Sequence, residues 1–114
     1  MKKLLALITI ATLAIAATAE DKTLQWVNGD NPNATASWQT IVYIATVPNV
    51  SPTNYVSTFT VSWPQNTATI TNLAPGTRYY FCVAHTDLED ISDPSNTVNS
   101  KTKINKPTNA NVVP

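Results

Sequence analysis

Apolar and polar residues alternate along most of this chain, in short runs broken by Pro, Asn and Gly. Alternation of period two sorts residues onto the two faces of a strand, whereas an amphipathic helix needs apolar residues three and four apart. Residues 24–27 read as a first strand, with Leu24 and Trp26 on one face. The Asn-Gly-Asp-Asn-Pro-Asn run at 28–33 reads as a turn, because Asn and Gly accept positive φ and Pro fixes its own. Residues 37–47 read as a longer strand, with Thr40, Val42 and Ile44 on one face and Ile41, Tyr43 and Ala45 on the other. Residues 55–63 follow with Phe59, Val61 and Trp63 at every second position, then 67–72 with Ala68 and Ile70 sharing a face. Ala74-Pro75-Gly76 bends the chain into 78–86, where Tyr79, Phe81 and Val83 alternate with Tyr80, Cys82 and Ala84. Residues 95–102 close the series, with Val98 as their apolar member. The abundance of Thr, Val and Ile suits pleated sheets. Strands at this spacing predict an all-β sandwich.

The first segment follows a different pattern. Lys2 and Lys3 precede an apolar run from Leu4 to Ala16, and Ala17-Thr18-Ala19 supplies small residues where a signal peptidase cuts. This is the signal-peptide arrangement, and its apolar core is shorter than the ~20 residues of a spanning helix. Residues 1–19 are therefore read as a cleaved signal peptide, 20–102 as the domain and 103–114 as a polar C-terminal tail. The expected location is secreted, periplasmic or at the cell surface, with no membrane association after cleavage. After cleavage, Lys22, Arg78, Lys101, Lys103 and Lys106 face seven acidic residues, and no basic stripe is present to bind nucleic acid. Cys82 is the single cysteine, so the thiol is either buried or pairs between chains.

One stretch carries a family resemblance. Leu73-Ala74-Pro75-Gly76-Thr77-Arg78-Tyr79, followed by alternating apolar residues, resembles the E–F corner and F strand of fibronectin type III domains. Ser92-Asp93-Pro94-Ser95-Asn96 is similar to that family's approach to strand G, Leu24-x-Trp26 to its strand B and residues 41–44 to its strand C. The resemblance implies a fibronectin type III-like (immunoglobulin-like) sandwich. Its implied core comprises Trp26, Val42, Ile44, Ile70, Leu73, Pro75, Tyr79, Phe81 and Val83, with the Tyr79 hydroxyl returning to backbone near the corner. The family keeps a small residue where His85 stands, which implies that His85 is displaced toward the strand end and solvent. Strand A is missing, because only Glu20, Asp21 and Lys22 precede strand B after cleavage. The Pro-led stretch 106–113 looks like a strand A at the wrong end of the chain. It either supplies the missing strand, to its own domain or a neighbour, or remains a free end.

Candidate chemistry is sparse. Cys82 and His85, three apart on one strand, point to opposite faces and cannot pair as nucleophile and base. There is no paired-carboxylate site, no Gly-rich phosphate loop and no zinc ligand set, so no catalytic residue, metal or cofactor is expected. The acidic loop Asp87, Leu88, Glu89, Asp90, Ile91, Ser92 and Asp93 is the best binding candidate. It is read as a solvated loop, with Ca²⁺ ligation as the weaker alternative. Tyr43 and Tyr80 point outward from their sheet, either as a platform for a partner or as a stabilising cross-strand pair. The expected function is non-catalytic binding or adhesion to a protein or carbohydrate through the end loops. The alternative is an assembly role in a surface or virion accessory protein, with self-association through an open sheet edge and the tail.

Overall fold

Branched and aromatic residues pair along six strands in the computed structural model, which describes residues 19–113. They are β1 (Glu20–Gln25), β2 (Gln39–Ala45), β3 (Ser57–Ser62), β4 (Thr67–Leu73), β5 (Arg78–Thr86) and β6 (Val98–Lys101). Among the described residues there is no helix, and none long and apolar enough to cross a membrane. The signal segment read from the sequence lies outside the described residues up to position 18.

Two antiparallel sheets result. One has the order β3-β2-β5-β6 and the other pairs β1 with β4 alone. Val42 stands opposite both Phe59 of β3 and Val83 of β5, so β2 is one of the two inner strands of the larger sheet, with β5. Its inward residues Val42 and Ile44 pack with Val61, Ala68, Ile70, Leu73, Phe81 and Val83 in the core between the sheets. Leu24, Trp26 and Tyr79 pack against that core but stay half-buried. Pro75, expected within the core, is half-buried at the β4–β5 corner. A second apolar cluster lies on the opposite face of the larger sheet, made of Tyr43, Ala45, Val50, Cys82 and Ala84.

β1 begins earlier than the sequence pattern suggested. Glu20, Asp21 and Lys22 form its first half, because β4 reaches far enough to pair Leu73 with Glu20 and Ile70 with Lys22, with a register shift at Asp21. An ion pair of 2.9 Å joins Lys22 Nζ to Glu20 Oε2. Glu20 sits beside Leu73 and Lys103 at one end of the molecule, here called the base. β1 then runs to the loop end, where the Trp26 N–H donates to the Asn66 carbonyl at 3.1 Å.

The β4–β5 corner is fixed by side chains. The Ala74 N–H donates to the Tyr79 hydroxyl at 2.9 Å, back across the bend. Gly76 takes φ +64°, a conformation that costs a residue without a Cβ little. Its N–H donates to the Lys103 carbonyl at 3.0 Å, which ties the corner to the chain leaving β6.

Candidate functional site

The inward face of β5 ends at the loop end with His85. The ring is half-buried and both of its nitrogens are engaged, which corrects the expectation that it is displaced to solvent. Nδ1 lies 2.7 Å from Thr40 Oγ1 on β2, and Nε2 lies 2.9 Å from the Asn28 carbonyl oxygen. A carbonyl can only accept, so Nε2 carries the proton. His85 thus links the larger sheet to the turn that follows β1. Trp63 meets the ring edge-on at 5.1 Å, and Trp38 meets Trp63 at 5.8 Å. The alternation of β5 and the positions of the two tryptophans were readable in sequence; their convergence on His85 depends on the register of β2 against β3 and β5.

The acidic loop grows out of this end, where its own backbone folds it. Asp87 Oδ1 accepts the N–H groups of Glu89 at 2.9 Å and Asp90 at 2.7 Å. These bonds, that from Asp90 most of all, hold the Asp87 carboxyl below its ordinary range. The Thr86 hydroxyl donates to the Asp90 carbonyl at 2.7 Å and accepts the Leu88 N–H at 2.9 Å. Ser92 closes the loop base, donating its N–H to the His85 carbonyl and accepting the His85 N–H on its hydroxyl. Leu88 is left at φ +80° and 64 % exposed, and Ile91 is 51 % exposed. Glu89, Asp90 and Asp93 surround them in solvent. A cavity of about 180 Å³ opens between this loop, Trp38, His85 and Asn31. Among the described residues, no group of three or more His, Cys, Asp or Glu is placed to hold a metal ion.

The two tyrosines lie elsewhere. Tyr43 is 3 % exposed, so of the two readings of Tyr43 and Tyr80, open platform or stabilising pair, burial rules out the platform for Tyr43. The connection between β2 and β3 folds over them, burying Val50 and laying Tyr55 against Tyr43 at 5.2 Å. Tyr80 is half-buried on the same face. Cys82, 2 % exposed, directs its thiol at the Val50 carbonyl, 3.8 Å away. Burial pushes the Cys82 thiol up, and burial first, then Tyr55, does the same to Tyr43. Val50 stands alone among Pro, Asn and Ser, and Tyr55, read from the pattern as the start of a strand, lies ahead of β3 in the covering connection.

A second surface follows from the sheet order. Among the described residues no strand pairs with the outer edge of β1, and β6 ends the larger sheet on the same side. Between them runs a groove. About 380 Å³ of it is lined by Leu24, Trp26, Phe81, Val83 and Val98 with polar neighbours, and about 250 Å³ more continues past Lys22 to Ser100. The half-burial of Leu24 and Trp26 is a consequence of this opening.

No model of a known protein family matches the chain, and no curated protein sequence matches it. The geometry defines its class as an all-β protein of two antiparallel sheets, consistent with a β-sandwich, carrying a structured acidic loop at one end and an open groove along one side.

Proposed function

We propose that this chain is an exported, non-catalytic binding module of the fibronectin type III kind, and that it captures a protein partner with the loop between β5 and β6. One observation carries this reading. A self-bonded loop holds two exposed apolar side chains, Leu88 and Ile91, among carboxylates. Ordering the loop before binding removes most of the entropy cost that a mobile loop would meet. The apolar pair would enter a partner's pocket, and Glu89, Asp90 and Asp93 would meet basic groups at its rim.

Other observations support the rest of the reading. The β3-β2-β5-β6 order facing β1-β4, the buried Leu73 and the Tyr79 bond to Ala74 suit the family. His85 has both nitrogens engaged and Cys82 is buried with its thiol pushed up, so neither is poised as base or nucleophile. The signal-peptide pattern supports export.

The test immobilises the wild-type protein and a Leu88→Asp/Ile91→Asp variant of equal melting temperature, and passes envelope and medium proteins of the producing cell over both. A protein retained by the wild type and lost by the variant is the expected result. Equal retention by the two sinks the loop reading. The open groove favours a second reading, in which the module assembles with copies or partners through the edge of β1.

A further inference from the structure

We infer that the groove along β1 is a strand-acceptor site, and that its occupant is the tail segment 106–113 of a second copy of this chain, inserted antiparallel to β1. The inference rests on the open-edge reading above and adds the occupant, its direction and its inward face.

The groove has the shape and chemistry of a missing strand. It runs beside β1 and the two residues after it, from Lys22 to Val27, with apolar side chains on its floor and β6 along its far wall. An extended segment laid there would bond to the free edge of β1 and cover Leu24 and Trp26. The segment 106–113 has as many residues as 20–27, and past Lys106 it carries no charge. Its alternation fits a strand with one face inward. Thr108, Ala110 and Val112 fall on one side, and Asn109, Asn111 and Val113 on the other. Pro107 stands at the start, where a strand tolerates a residue that cannot donate. In the single chain residues 106–113 are all exposed, Val112 at 93 % and Val113 at 85 %.

The chain's exit from β6 selects a second copy over the chain's own groove. Lys103 is pinned at the base, its N–H donating to Glu20 Oε1 at 2.7 Å and its carbonyl accepting from Gly76. Ile104 continues past the corner, its Cγ1 lying 3.4 Å from where a Cβ on Gly76 would stand. To fill its own groove the tail would have to reverse at once and run parallel to β1. A copy stacked below in the same orientation receives the tail at its loop end instead, antiparallel to its β1. Antiparallel ladders are the more stable per residue. The same surface is not used by both partners, so the contact is heterologous and adds copies head to tail.

The test uses the full chain, with mass measured by light scattering over a range of concentrations and amide exchange followed in parallel. Two variants of equal added charge are compared: Ala110→Asp/Val112→Asp on the inward face and Asn109→Asp/Asn111→Asp on the outward face. The expected result is a mass that grows with concentration, together with exchange in Glu20–Gln25 slowed on the order of tenfold. Both effects vanish in the inward variant and persist in the outward one. Species that grow with β1 protected but ignore the inward variant overturn the tail as occupant and leave the open-edge reading standing. A protected β1 in a lasting monomer shows the chain filling its own groove and overturns the second copy. An unprotected β1 at every concentration overturns the open-edge reading itself.

Discussion

Thr102 follows β6 at the base with 2 % of its surface exposed. Its hydroxyl donates to the Ala74 carbonyl at 2.5 Å and accepts the Thr77 N–H at 3.0 Å, so one small side chain satisfies both sides of the β4–β5 corner. Thr102→Val keeps the shape and orphans both groups. The expected loss is about 1–3 kcal/mol, seen as a lower urea midpoint with an unchanged slope. Leu88 presents the opposite case. At φ +80° a side chain with a Cβ is strained, and Leu88→Gly is expected to raise stability by about 1 kcal/mol in the same assay. The same change removes the more exposed of the two anchors, so a stabler protein should bind its partner less well. Asp87 sets how that loop responds to pH. Its carboxyl is held low in the fold, so its contribution is present above the ordinary carboxylate range and lost as pH falls through the lowered value. Acidification is therefore expected to loosen the amides of Glu89 and Asp90 in NMR spectra, and Asp87→Asn is expected to abolish that response. The acidic loop was legible as a stretch of residues; the roles inside it were not. Nothing in the order Asp-Leu-Glu-Asp announces that the first carboxylate, exposed like the others, is the one that accepts the loop's own backbone N–H groups.

The strands divide by how many neighbours hold them. β2 and β5 sit inside a four-stranded sheet and bury residues on both faces, while β1 has β4 alone. A two-stranded ribbon is marginal unless packing on one face supports it. Amide exchange of the dilute protein is accordingly expected to be fastest in β1 and slowest in β2 and β5; uniform protection across all six strands would contradict this. β5 is the element read most fully from sequence, its bounds matching at 78–86, because a long apolar and aromatic run bounded by the Pro-Gly corner and the acidic loop marks a strand buried on both faces. β1 was read short. Its first half, Glu-Asp-Lys, has no apolar signal, and it is a strand because β4 offers it partners. The outer face of the larger sheet shows the same limit. Alternation assigned Tyr43 to that face correctly, yet only the path of residues 46–56 determines that the face is covered.

At the scale of the molecule, no strand among the described residues covers the edges of β1 and β6, and the sequence offered one strand-like segment, 106–113, after the last strand. What it could not supply was direction, which comes from the contacts that pin Lys103 beside Glu20. That pinning has a mechanical consequence. The two ends of the domain emerge together at the base, so a force that separates them pulls β1 away from β4, and β6 away from β5, starting at their terminal residues. Ladder bonds lie across the strands and would break in succession, as in a zipper, instead of resisting together as they do when strands slide lengthwise. A domain wired this way yields at low load when stretched by its own ends. A strand donated from a neighbour would move the point of traction to the opposite end of the groove, and the same fold would then be loaded in shear.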